Sequence, residues 1–375
     1  MQYRDIIGNM EVVESLKKMI DSNRMPHAIL FTEKAGCGAV AVALATIQYL
    51  LCKNHTPEDS CGECSSCVKV DRMVHPDLHF IFPTNTSTLV QGDKKKEIEN
   101  FYPIWREYAK ENKYFSEEQL NAALGIENKF GIIGVSEANS IIRKLSLSSY
   151  EGGAKIVFVL FPERMNTEAA NKLLKTLEEP MPNTYFIMVS HNPNKIIPTI
   201  ISRCRIVELP PIEREILSGK LQEQFNITQK EGDFWATCSG GSYSEAVNLI
   251  GREEEQSEYY TIFVELLNKA LLKDLPALLD IGENLSTYGK EKQRAFCKEA
   301  EEILRKIYMV SLGVESISYV TPNQQSTIEE LANRINPDFY RKGYDFVNSS
   351  IDCIERNVNP KFIFCDLCNC IYHTI

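Results

Sequence analysis

The chain has 375 residues, 43% hydrophobic and 25% charged, with a formal net charge of −10. A single core stops growing near about 250–300 residues, so two or three domains are expected, and the acidic balance excludes a protein that coats nucleic acid through a broad basic surface. No apolar run approaches the about 18 residues needed to cross a bilayer, and MQYRDIIGNMEVVE is charged where a signal peptide is apolar, so a cytoplasmic chain without a membrane partner is expected.

Near the N-terminus, MPHAILFTEKAGCGAVAVALATIQYLLC reads as a short strand from His27 to Phe31, a glycine-containing turn and an Ala-rich helix from about Val40. A working phosphate loop in such a place is G-x-x-x-x-G-K-[ST]. Its glycines let backbone amides curl around phosphates, its Lys neutralises them and its hydroxyl ligates magnesium. In that register the chain has Glu33, then KAGC with Gly36, then Gly38, Ala39 and Val40. The lysine and the hydroxyl are lost, and a negative charge is added where phosphates would lie. Taken alone, the pattern fits an ordinary strand-to-helix turn as well as a decayed phosphate loop.

Cys52, Cys61, Cys64 and Cys67 follow as C-x8-C-x2-C-x2-C, with Gly62 available for a sharp turn. Four thiolates on short loops suit a tetrahedral site, and their softness favours Zn2+. Four protein ligands leave no open coordination position, so such a metal is structural. DSCGECSSC is also too polar for a core, and His55 and His75 lie nearby without being needed as ligands. Cys365, Cys368 and Cys370, in the apolar helical stretch FIFCDLCNCIYH, lack a fourth convincing thiol and are read as core packing.

LHFIFPT (Leu78–Thr84), AKIVFVLF (Ala154–Phe161), TYFIMVS (Thr184–Ser190) and RIVELP (Arg205–Pro210) are further strand-length runs. They alternate with helical patterns such as EAANKLLKTLEE, which predicts an α/β fold with a parallel sheet. Residues 85–130 interrupt the pattern and are expected to be a partly helical insertion on the outside of the sheet. The run Lys94 to Lys96 within it is read as a solvated loop rather than a DNA contact, and Lys172 and Lys175 likewise as solvated. Beyond Pro210 and Pro211 the pattern is helical, which gives domains at 1–211, 212–252 and 253–375, the last boundary falling in GREEEQ (Gly251–Gln256).

The stretch KIVFVLFPERMNTEAANKLLKTLEEPMPNTYFIMVSHNPNKIIPTIISRCR resembles the clamp-loader family of AAA+ proteins over nearly its whole length. The string AANKLLKTLEEP followed by ISRCR is highly specific, and PHAILF, the four-cysteine module and RNVNPKF fit the same family. The resemblance implies an AAA+ α/β domain carrying the zinc module, a small helical lid domain and an all-helical collar that oligomerises. It also places Phe161 where an ATPase carries its magnesium-holding Asp, and Ser244 where the second sensor carries Arg. Together with Ala39 and Val40, these departures match the family's delta-prime type, which does not hydrolyse ATP, rather than its motor subunits. Glu163 does not restore a magnesium site by itself, and Ser190 at the first-sensor position has little to sense.

The motif Ser202, Arg203, Cys204 then implies that Arg203 reaches a neighbouring subunit's ATP as an arginine finger, Arg205 being a weaker candidate. The bland alternative for Arg203 is a surface salt bridge. Implied partners are gamma/tau ATPase subunits, a delta subunit and, through the complex, the sliding clamp and the primer–template DNA used by DNA polymerase III. Two rivals stand beside this reading: an active gamma/tau-like ATPase with an unusual loop, and a zinc-dependent nucleic-acid-binding module, which the acidic charge disfavours.

Overall fold

The apolar runs of the first half become five strands: β1 (Ala28–Thr32), β2 (Leu78–Ile81), β3 (Lys155–Leu160), β4 (Thr184–Ser190) and β5 (Arg205–Glu208). The computed structural model describes residues 1–90, 97–126, 131–313 and 320–375. Lys94 to Lys96 lie outside the described residues. The strands pair in parallel in the order β2-β3-β4-β1-β5, with Ala28 beside Phe186 and Ile29 beside Arg205. β1 and β3 are buried along their whole length, which is why they read as continuous apolar runs rather than alternating ones. β5 is an exposed edge.

β2, β3 and β5 end sooner than their apolar runs, whereas β4 fills its run and β1 extends one residue past its own, to Thr32. Pro83 and Pro210 have no amide for a ladder hydrogen bond, and Phe161 turns out of β3 in a left-handed conformation at φ 56°.

Around the sheet lie α1 (Met10–Asp21), α2 (Ala39–Leu51), α3 (Ser65–Asp71), α4 (Tyr102–Glu111), α5 (Glu117–Ala123), α6 (Val135–Leu145), α7 (Thr167–Glu178) and α8 (Pro198–Ile201). α2 is apolar all round and correspondingly buried on nearly every side. Residues 85–130 are partly helical as expected, through α4 and α5, yet their aromatic side is core rather than exterior surface. Phe101, Trp105, Phe115 and Leu120 are all but inaccessible to solvent. Trp105 packs its ring against Phe80 and Phe82, at centroid distances of 5.7 and 5.3 Å. Phe80 is on β2 and Phe82 just follows it, so this segment completes one face of the sheet.

After Pro211 come α9 (Arg214–Phe225), α10 (Gln229–Cys238) and α11 (Tyr243–Leu271). The chain divides into two compact units, Met1–Val247 and Asn248–Ile375, so α9, α10 and the start of α11 group with the sheet. The second unit holds the rest of α11 together with α12 (Leu275–Ser286), α13 (Lys290–Ser311), α14 (Pro322–Arg334), α15 (Pro337–Glu355) and α16 (Pro360–Thr374). Four of these helices begin with proline in the first turn, where its missing amide costs nothing, and Asp274, Asn336 and Asn359 cap three of them. Their apolar stripes converge on a core that includes Phe263, Phe296, Phe339 and Phe364. Cys368 belongs to that core, and Cys365 and Cys370 are only partly buried on the same helix. Among the described residues, no helix is long and apolar enough to cross a membrane.

Candidate functional site

Helix α2 begins where β1 runs into the glycine loop. Its first amides lack partners within the helix, as at every helix N-terminus, and the helix dipole makes that end attractive to an anion. Here the anion is the chain's own. The Ala39 amide donates to Glu33 Oε2 at 2.7 Å, while Glu33 Oε1 faces His191 Nε2 at 3.2 Å. The Glu33 side chain is only 1% exposed, so this carboxylate occupies the helix end rather than waving in solvent. Gly36 and Gly38 have φ of +82° and +115°, a region that only glycine adopts readily. Ala39 and Val40 point into the core with no charge or hydroxyl to offer a ligand.

The neighbouring strand ends are equally committed. Glu163 Oε1 accepts the amides of His191 and Asn192, each at 3.1 Å. Ser190 is fully buried and accepts the Asn192 amide at 3.1 Å. Phe161 lays its ring 4.8 Å from that of His191. The β3 and β4 ends thus form a knot of internal contacts around His191, with no cluster of carboxylates open to a cation.

The other side of the loop is closed by the start of α11. Ser242 Oγ donates to the Ala35 carbonyl at 2.8 Å, and the Tyr243 amide donates to the Gly36 carbonyl at 3.1 Å. A side chain at Gly36 would collide with Ser244 Oγ, so Ser244 stands against the loop itself. Across Gly38 lies Tyr114, from the turn between α4 and α5, whose hydroxyl accepts the Ile7 amide at 2.8 Å. The predicted loop residues are therefore brought together, and they are filled from all sides by the chain.

At the opposite end of α2, Cys52 leaves the helix and meets Cys61, Cys64 and Cys67, their sulfurs all within 4.8 Å of one another. Cys52 and Cys61 sulfurs are 3.5 Å apart, and those of Cys61 and Cys67 3.9 Å. Four sulfurs at about 2.3 Å from one tetrahedral ion would stand about 3.8 Å from each other, so the set fits a metal ion. The sulfurs also draw amides: Cys61 N–H points to Cys52 Sγ at 3.3 Å and Cys64 N–H to Cys61 Sγ at 3.4 Å. Burial opposes ionisation of Cys64, yet the amides of Cys67 and Lys53 and the adjoining thiols bring it down to about 6. Burial pushes Cys67 upward. Four thiols gathered this closely can serve as thiolate ligands to one cation.

Gly62 makes the turn at φ +77° against the side chain of Gln2. His55 and His75 are engaged elsewhere, His55 Nδ1 near the Cys52 carbonyl at 3.4 Å and His75 Nε2 with Ser66 Oγ at 2.8 Å. Among the described residues this is the one group that could hold a metal, and Cys365, Cys368 and Cys370 are not part of another.

Arg203 follows α8 immediately before β5. Its side chain is one-third exposed, donates to the Thr199 carbonyl at 2.7 Å and pairs with Glu178 at the end of α7. Arg205 and the two helix lysines, Lys172 and Lys175, are exposed. Nothing in the residue pattern singled out His191 or Tyr114. A histidine after a strand and a tyrosine in an insertion carry no spacing signal, and only the fold brings them to the loop.

The family described as DNA polymerase III, delta subunit, matches residues 8–213. The delta-prime subunit of DNA polymerase III from Escherichia coli K12 is 26% identical over 86% of this chain and 81% of its own length. That from Yersinia pestis is 31% identical over 74% of this chain and 68% of its own. The tau subunit of Bacillus subtilis is 22% identical over 66% of this chain but only 37% of its own length. A match across more than half the chain, joined by delta-prime relatives that share most of their length with it, means that this chain belongs to the DNA polymerase III delta-prime subunit family.

Proposed function

We propose that the chain is an ATPase-inactive clamp-loader subunit of DNA polymerase III, which assembles with gamma/tau ATPase subunits and a delta subunit and supplies Arg203 to a neighbour's ATP. The observation that carries the inactive half is the Glu33 carboxylate on the Ala39 amide. A phosphate would have to take that amide while lying against the buried Glu33 carboxyl, with alanine in place of the lysine at position 39. The parallel sheet with a glycine loop after β1 supports an AAA+ α/β domain, with α9 to the start of α11 as the lid and the remaining helices as the collar. The four cysteines suit a structural Zn2+. Such a subunit works in the cytoplasm and reaches the sliding clamp and primed DNA through the complex.

Arg203 is suited to act outward. Its pair with Glu178 joins two side chains that are 33% and 45% exposed, and such pairs contribute about 0–1 kcal/mol. A neighbour's gamma phosphate offers a bidentate, less hydrated partner and can displace Glu178. In the complex reconstituted with the motor subunits, Arg203→Ala is expected to lower ATP hydrolysis, by about 10³-fold or more at the one site it faces, while assembly is kept. Unchanged hydrolysis removes the finger role. ATP turnover by the isolated chain, abolished by substitution of Gly38, would instead support the active-ATPase reading.

A further inference from the structure

Tyr114 has no part in the function proposed above, yet it touches the glycine loop directly. A Cβ placed on Gly38 would come within 2.8 Å of Tyr114 Cε1, so the ring edge rests on the α-carbon at the start of α2. Its hydroxyl takes the Ile7 amide, and its ring stands edge-on to Tyr243 with centroids 5.0 Å apart. The next residue, Phe115, is buried against Trp105 and Tyr108, so the turn bearing Tyr114 is anchored in the core. Beside the ring an open cleft of about 290 Å³ remains, walled by Ile7, Tyr114, Tyr243 and Val247.

A planar ring whose hydroxyl accepts a backbone N–H beside a glycine loop does what a nucleobase does. A carboxylate on the helix N-terminus does what a phosphate does. We infer that Tyr114 and Glu33 together are an internal surrogate for a nucleotide. The insertion supplies the ring and the loop supplies the charge. Between them they hold the N-terminal segment at Ile7, the loop at Gly38 and Ala39, and the start of α11 at Tyr243 in one arrangement that needs no ATP. This gives residues 85–130 a task beyond completing the core. It stands independently of Arg203.

The test uses the isolated full chain, so its failure is distinguishable from failure of the Arg203 experiment in the assembled complex. Hydrogen exchange is followed at the Ile7 and Tyr243 amides. Tyr114→Phe is expected to speed exchange at Ile7 by at least about tenfold while leaving Tyr243 as in the wild type, and Tyr114→Ala to speed both. Calorimetry with ADP is expected to show no binding by the wild type or by Glu33→Gly, and binding at about millimolar strength by Glu33→Gly combined with Tyr114→Ala. Exchange at Tyr243 unchanged in Tyr114→Ala overturns the inference. So does ADP binding by Glu33→Gly as tight as that of the double variant, or none by the double variant. If Tyr114→Ala does not fold, Ile7 exchange in Tyr114→Phe decides, and exchange at the wild-type rate overturns it.

Discussion

At the N-terminus of α2 the Ala39 amide meets a carboxylate from its own chain, whereas at the C-terminus Cys52 turns toward three further thiols in an arrangement that fits a metal ion. The two ends of one buried helix thus stand in opposite relation to ligands. One end lacks the lysine and hydroxyl of a phosphate loop, and an internal carboxylate takes its first amide. The other presents a donor set whose close sulfurs repel once ionised, a repulsion that a bound metal ion would relieve. Loss of a ligand is tolerated where the chain can supply a neutralising group of its own, as Glu33 does. A chain with four converging thiolates cannot supply a divalent cation.

The sharpest way to break this contrast is at the thiol end. Cys67 is buried, and Cys67→Ser is expected to abolish zinc retention and cost more than about 4 kcal/mol of stability, read by metal analysis and urea unfolding. Retained metal with an unchanged unfolding midpoint would remove the structural role.

Acid should release metal as the thiolates take up protons, and a second acid-sensitive group must be separated from that effect. Burial, aided by Lys144, brings His79 on β2 down from 6.5 to about 4. The unfolded chain therefore takes this proton near pH 6.5 and the folded chain only near 4. The stability due to neutral His79 falls as pH drops through that window and levels off below it, by at most about 3 kcal/mol. His79→Gln is expected to remove that part of the pH slope and leave metal release in place. An identical slope in the variant would assign the acid sensitivity elsewhere.

The smallest effect belongs to the loop end. Glu33→Ala removes a buried helix cap and is expected to cost about 1–2 kcal/mol in urea unfolding without altering zinc content. A cost as large as that of Cys67→Ser would mean that the two ends are not different in kind.

Much of this was legible beforehand for particular reasons. The four cysteines are readable because metal ligation fixes residue type and spacing together. β1, β3 and β4 are readable because strands covered on both faces must be apolar throughout. The loop was legible as a set of losses, since Ala39 and Val40 cannot do what Lys and a hydroxyl residue do. Arg203 was legible only through the motif around it, and its partner Glu178 depends on where α7 ends relative to β5.

Residues 85–130 were the least legible. FYPIWREYAKENKYF mixes aromatic and charged residues without a clean period, so the pattern did not reveal that Phe101, Trp105 and Phe115 are core. The sequence by itself determined which chemistry was missing from the loop and which ligand set was complete, because both depend on residue identity over a few consecutive positions. What filled the loop was decided only by the tertiary structure. Glu33 is local, six residues before Ala39, but Tyr114, His191 and Ser244 come from separate parts of the chain, and contacts over such separations are set by the packing of the sheet and its helices rather than by any local pattern.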